Sequence, residues 1–341
     1  MGKILLTGGT GFVAAHILNE LLANRHNVVT TVRSRAKGET VLGLHSGTSR
    51  TELSYEIVED IAATGAFDDI FKRHPNFDAI IHAASPFHDN FHDPMELLDP
   101  AIKGTTGILK AAKSYAPSIK RVVLTSSFAA MVNEAQAPEV YDESCWNPVT
   151  WETSLTIRNQ AYRGSKAKKA AWDFVQEQKP GFDLVTICPP VVYGPIAHNV
   201  GSVNALNTSN QRVLDFIQGK HREGDFPPTG TLMWVDVRDL AAAHVRALEV
   251  GGAGGQRFFS PASHYSNKML VDAIRDTHPG LADKLPTDTV DELIDRKHMF
   301  NFDNSKIKEV LGIQFRQFKE SIGATVSSLQ ELRPASTKSE L

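Results

Sequence analysis

Short apolar runs alternate with longer amphipathic stretches through the first half of the chain. Lys3–Thr7, Asn27–Val32, Tyr55–Val58, Ala79–Ala83, Arg121–Thr125 and Leu184–Cys188 read as strands, most of them rich in Val, Ile and Leu on both faces. Ala15–Ala23 and the stretches near 64–73, 94–115 and 156–178 carry the periodicity of helices. Strand and helix in strict alternation predict an α/β fold, a Rossmann-type doubly wound parallel sheet with helices on both faces.

The pattern changes after Pro189-Pro190. As far as Gly230 the chain is rich in Asn, Ser, Gly and His, with one clear helix candidate at Val213–Gln218. An apolar run returns at Met233–Leu240, enters an Ala-rich helix over 240–250 and leaves at Gly251-Gly252-Ala253-Gly254-Gly255. These shifts predict a Rossmann domain from 1–188 plus 232–250, a smaller, discontinuous C-terminal substrate lobe from 189–231 plus 251–333, and a frayed polar tail over 334–341.

Gly8-Gly9-Thr10-Gly11-Phe12-Val13-Ala14 joins the first strand to the first helix. Gly8 and Gly11 let the backbone turn sharply and lie close to a pyrophosphate, and the small Ala14 lets the helix pack on its strand. The free N–H groups of the helix start face the same phosphates, so Thr7, Gly8, Gly9, Thr10, Gly11, Phe12 and Val13 form a candidate dinucleotide cradle. A fold of this kind that prefers NAD carries an acidic residue at the end of the second strand. Here Arg33 stands there, followed by Arg35 and Lys37. Guanidinium and ammonium groups suit a 2′-phosphate, so the expected cofactor is NADP, used as NADPH.

Ser127 follows the strand Arg121–Thr125, at the carboxyl edge where open α/β sheets place ligands. Tyr162 and Lys166 are four apart in a helical stretch and so share one face. A phenol titrates at roughly 10, and a nearby ammonium favours its ionised form, which makes Tyr162 a usable general acid near neutral pH. Ser127, Tyr162 and Lys166 are therefore the candidate catalytic set. Ser127 would bond the substrate oxygen, Tyr162 would give it a proton, and Lys166 would lower the Tyr162 pKa and hold the nicotinamide ribose.

With these residues in view, the chain resembles the extended short-chain dehydrogenase/reductase family. Thr7 to Ala14, Glu59-Asp60-Ile61, His82-Ala83-Ala84-Ser85-Pro86-Phe87, Leu124-Thr125-Ser126-Ser127 and Trp146-Asn147-Pro148 are similar to segments of the fungal NADPH-dependent methylglyoxal and carbonyl reductases, relatives of plant dihydroflavonol reductase. The resemblance implies that Asp60 and Ile61 lie beside the adenine and that Ala83, Ala84 and Ser85 run along the dinucleotide. It also implies that Pro189, Val192 and Ser209 meet the cofactor. It places Phe87 and Phe128 against the substrate, with Val191, Phe226 and Trp234 as further pocket candidates. Relatives often carry Tyr where this chain has Phe128, and several carry an aromatic residue near Val191, so the substrate range stays open. The implied activity is reduction of aldehydes or ketones to alcohols, with methylglyoxal-like compounds, keto esters and aryl ketones among the candidates.

Two other readings share the fold. A nucleotide-sugar epimerase or dehydratase uses the same triad, but dehydratases commonly place acids after the active-site Ser or Thr, and here Phe128, Ala129 and Ala130 follow. A non-catalytic NADP-sensing regulator typically lacks the Tyr and Lys pair, which this chain has.

Charge and composition narrow the partners. In 341 residues, 36 Lys and Arg face 39 Asp and Glu, a net charge of −3, which does not favour nucleic acid. No secretory pattern precedes the first strand and no apolar stretch is long enough for a membrane span, so a cytoplasmic protein with no membrane partner is expected, as a monomer or homodimer. Cys145 and Cys188 have no metal-type or redox-type neighbours in sequence and are expected to be reduced. His82, His88 and His92 with Asp89 and Asp93 form a superficial cluster, but Pro86 and Pro94 argue against one helix carrying them and no metal is expected. His244 and His298 read as surface or packing residues.

Overall fold

The computed structural model describes residues 2–84, 95–133, 135–150, 152–153, 160–197, 206–223, 226–291, 293 and 300–332, with the side chains of 95–99 and 160–166 outside that set. Seven strands form one parallel sheet: β1 (Lys3–Thr7), β2 (Asn27–Val32), β3 (Leu53–Ile57), β4 (Ala79–His82), β5 (Arg121–Thr125), β7 (Asp183–Cys188) and β10 (Arg257–Phe259). Their order is β10-β7-β5-β4-β1-β2-β3, so the direction of winding reverses between β1 and β4. Their runs of Val, Ile and Leu are explained by burial on both faces.

On one face Ile4 and Leu6 of β1 and Val123 of β5 pack with α1 (Phe12–Ala23), α7 (Val237–Glu249) and α9 (Ser305–Leu311). On the other, Leu5, Ile80, Val122 and Leu124 pack with α3 (Asp68–Arg73), α4 (Met95–Tyr115) and α5 (Gln160–Gln178). Neighbouring residues of a strand thus serve opposite layers, as a pleated backbone requires. Arg121 fastens the edge: Nε and Nη2 bond the two Asp183 carboxylate oxygens at 2.7 and 2.9 Å, while Nη1 donates to the carbonyls of Ala247 and Val250 at the end of α7.

Beyond β7 the chain builds a three-stranded sheet, β11-β9-β8, from β8 (Val191–Tyr193), β9 (Met233–Asp236) and β11 (Ser263–His264). Around it α6 (Thr208–Ile217), α8 (Asn267–Thr277) and α10 (Phe318–Glu331) share a core of Phe216, Trp234, Tyr265, Val271 and Ile322. A two-stranded pair, β6 (Val140–Tyr141) with β12 (Asn301–Phe302), lies beside a small aromatic core.

Several elements differ from those read in the sequence. The basic segment after β2 opens a helix, α2 (Arg35–Leu44), with Ser34 as N-cap. The division near residue 250 runs through a layer: β10 completes the large sheet beside β7, and Ile307, Leu311 and Ile313 join the α1/α7 core. β9, conversely, pairs with β8 and β11. A three-residue strand after a glycine run carries too little periodicity to be recognised from sequence. The polar tail lies outside the described residues.

Because Phe258 is fully buried in β10, Phe258→Ala should lower unfolding stability by about 3–5 kcal/mol. A denaturant titration giving under about 1 kcal/mol would show that this edge strand is not part of the cooperative core.

Candidate active site

At the reversal between β1 and β4 the two strands run parallel with Thr7 beside His82, and both chains leave the sheet at the same edge. Gly8 turns with φ +79°, and a Cβ there would sit 3.1 Å from the Ala84 Cα. A Cβ on Gly9 would lie 2.1 Å from the Thr30 hydroxyl oxygen. Both positions therefore need glycine for the chain's own sake. Gly11 differs: its φ of −86° suits any residue, and a Cβ would meet nothing closer than the Gly8 carbonyl at 3.3 Å. Gly11 is exposed, and as the N-cap of α1 it has no side chain of its own to cap the helix. The missing Cβ there leaves clear the N-terminus of a twelve-residue helix at a topological switch point, which fits a pyrophosphate.

Three hydrogen-bonding groups fix this corner. The Ala84 N–H donates to the Thr7 hydroxyl at 3.0 Å, and that hydroxyl lies 2.9 Å from His82 Nδ1. Burial, with a further contribution from the Lys168 ammonium, pushes the His82 pKa down to about 3. A neutral imidazole is thus built into the floor, and its Nε2 has no partner among the described residues.

Arg33, Arg35 and Lys37 are exposed around the N-terminus of α2, whose first turn holds no acidic residue. Among the described residues no carboxylate pairs with Arg33 or Lys37. Cations at a helix N-terminus oppose the helix dipole, and a doubly charged phosphate there would reverse that penalty. Asp60 and Ile61 follow β3 at the same sheet edge. The Asp60 carboxylate accepts the Ala62 N–H at 2.8 Å, while Ile61 packs against the α3/α4 core. Ala83 and Ala84 follow β4 at this edge, and Pro189 follows β7. The Pro189 carbonyl accepts the Phe128 N–H at 2.7 Å. Val192 lies in β8, and its carbonyl accepts the Ser209 hydroxyl, which itself accepts from Asn207 Nδ2.

Ser127 caps a single 3-10 turn over Phe128–Ala130 just beyond β5. Its oxygen accepts the Ala129 N–H at 3.2 Å, a bond that does not use the hydroxyl hydrogen. Tyr162 and Lys166 lie in α5, four residues apart, with their side chains outside the described set. Ser85 and Phe87 also fall outside it, as do His88, Asp89, His92, Asp93 and His298.

The pocket candidates separate. Phe128 is 5% exposed and stacks on Phe259 with ring centroids 5.3 Å apart; Tyr141 and Phe300 close its other sides. Trp234 is 1% exposed, packs on Phe318 and donates its indole N–H to Ser263. Both rings therefore pack into aromatic cores, Phe128 against Phe259 of β10 and Trp234 against Phe318 of α10. Val191 and Phe226 are half-buried, with Phe226 stacked on Phe216.

Sequence reasoning also passed over His244. It is fully buried, burial holds its pKa down at about 4, and its Nε2 lies 2.8 Å from the Thr125 hydroxyl. The only sequence signal was its place on the apolar stripe of α7. Cys145 and Cys188 are both free thiols. Among the described residues no group of three or more potential metal ligands converges, and no helix is long and apolar enough to cross a membrane.

The fold and this edge define a dinucleotide-binding α/β protein of the doubly wound class. Residues 4–258 match the family model described as NAD dependent epimerase/dehydratase. The chain belongs to that family. It is 49% identical to ketoreductase azaE of Aspergillus niger over 96% of this chain and 98% of that one. Gre2 of Candida albicans, solved in complex with NADPH, superposes with a TM-score of 0.89 at 36% identity, covering 97% of this chain and 99% of the other. The yeast methylglyoxal/isovaleraldehyde reductase Gre2, also complexed with NADPH, gives 0.87 at 32% identity over 96% and 98% of the two chains.

His82 and His244 stay neutral in the folded protein well below the pH near 6.5 at which the unfolded chain protonates them. Between those values the unfolded state binds more protons, so the contribution of these groups is fully present above about pH 6.5 and is lost as pH falls to about 4 for His244 and about 3 for His82. His244→Gln should flatten the fall between about pH 6.5 and 5 in denaturant titrations. An unchanged slope would contradict the assignment.

Proposed function

We propose that this protein reduces aldehydes or ketones to alcohols using NADPH. The observation that carries the proposal is full-length similarity to reductases, including two solved with NADPH bound. Arg33 and Lys37, which pair with no carboxylate among the described residues, and the glycine-lined switch point support the same cofactor. NADPH, when bound, supplies the hydride that the carbonyl carbon receives.

The chain's own residues do the rest. Gly8, Gly9 and Gly11 with the start of α1 would hold the pyrophosphate, and Arg33 and Lys37 the 2′-phosphate. Ser127 would direct its hydroxyl hydrogen at the substrate oxygen, polarising the carbonyl. Tyr162 would donate its proton to the developing alkoxide, so that hydride and proton together complete the alcohol. Lys166, one helical turn on, would stabilise the tyrosinate and hold ribose hydroxyls. Phe128, Ala129 and Ala130 after Ser127 supply no acid to expel a hydroxyl, which favours reduction over dehydration. Methylglyoxal-like dicarbonyls, β-keto esters and aryl ketones are the substrates to test, with Val191 and Phe226 as pocket walls.

Tyr162→Phe should leave NADPH affinity nearly intact and lower kcat at least about a hundredfold, the usual scale for loss of a general acid. Loss of nicotinamide absorbance against that panel measures it, and wild-type turnover would remove Tyr162 from the mechanism. Arg33→Asp should raise the Kd for NADPH far more than that for NADH, because only the former carries the 2′-phosphate. Equal weakening of both, read by cofactor fluorescence, would place the 2′-phosphate elsewhere.

A further inference from the structure

We propose that His244 and Thr125 form a positioning pair that fixes the place of Ser127. The inference rests on the reading of Ser127 as the group that holds the substrate oxygen.

Along α7 the residues Val237, Leu240, Ala241, His244 and Leu248 recur at helical spacing, and all but His244 are apolar. His244 is nevertheless 0% exposed on that face. Its ring nitrogens have different partners. Nδ1 lies 2.8 Å from the Leu240 carbonyl, which can only accept, so Nδ1 carries the hydrogen. In the neutral ring Nε2 is then a bare acceptor, and the Thr125 hydroxyl, 2.8 Å away, donates to it. A leucine would pack on this face without a polar group to satisfy. The buried pair instead supplies one directional bond between α7 and the last residue of β5.

That residue is two positions before Ser127. The next two ties run to the neighbouring strand: the Ser126 N–H donates to the Ile187 carbonyl at 2.7 Å, and the Phe128 N–H donates to the Pro189 carbonyl at 2.7 Å. Backbone bonds therefore set the strand end within the sheet, while the Thr125–His244 bond sets it against the helix layer. With either partner lost, the backbone bonds persist and the segment can shift toward or away from α7. Such a shift displaces the Ser127 hydroxyl and leaves the glycine turn at β1 in place.

The test uses the full-length protein, NADPH and one reducible carbonyl substrate. Thr125→Val keeps the shape and removes the donor. It should lower kcat about tenfold, the scale of a small misplacement, with the KM for NADPH little changed. Thr125→Ser should recover most of that loss, as should His244→Gln relative to His244→Leu, since the amide oxygen can accept the same hydrogen. In a Ser127→Ala background Thr125→Val should add nothing further, because its effect passes through Ser127. Wild-type kcat in Thr125→Val, or a full additional loss in the Ser127→Ala background, would overturn the pairing and leave the reductase reading standing. If Thr125→Val does not fold, the His244→Gln and His244→Leu comparison decides: equal kcat in those two overturns it. Wild-type kcat in Ser127→Ala would remove the role of Ser127 itself, and the positioning proposal with it.

Discussion

The approach of Gly8 to Ala84, where a Cβ would sit 3.1 Å from the Ala84 Cα, sets the geometry of the whole binding edge. Parallel pairing of β1 with β4 at a point where winding reverses sends two chains out of the sheet side by side. They can separate into a crevice only if the first turns away at once. Gly8 makes that turn at positive φ, and the Thr7 hydroxyl then captures the Ala84 N–H. The start of α1 follows directly from the turn. A side chain at Gly8 would be strained at this positive φ and would press on Ala84, so the cradle and the pairing of the two central strands are one constraint.

Electrostatics around this edge divide by depth. Inside, burial keeps His82 and His244 uncharged, so they serve as hydrogen-bonding groups and carry no fixed charge into the sheet. Outside, Arg33, Arg35 and Lys37 cluster at a helix end that repels them. An arrangement that is unfavourable for the free chain and favourable with an anion present is the mark of a binding surface, and on the proposed reading that anion is the 2′-phosphate.

The central strands, the glycine turn and the place of Ser127 were legible in the sequence because each depends on local signals: doubly buried apolar runs, glycine where φ must be positive, and a polar residue at a strand end. The parts that were not legible depend on distant partners. β10 is three residues long and is a strand only because β7 offers it an edge. The aromatic packing of Phe128 beside Ser127 is set by Phe259, Tyr141 and Phe300, all distant in sequence except Tyr141. His244 looks like packing until Thr125, 119 positions away in sequence, is placed against it.

The burial of Phe128 has a consequence for how the site divides its work. A residue beside the proposed catalytic hydroxyl that is clamped among three aromatic rings cannot adapt to different substrates, but it does hold the turn that presents Ser127. Its backbone N–H, bonded to the Pro189 carbonyl, adds to the same rigidity. On the proposed reading, discrimination among substrates would fall to half-buried groups on the smaller sheet and its loops, Val191 and Phe226, which are anchored to a separate core. On that reading, chemistry held at the rigid edge of the large sheet and selectivity held by the smaller lobe would vary independently, because the cores that support them are separate.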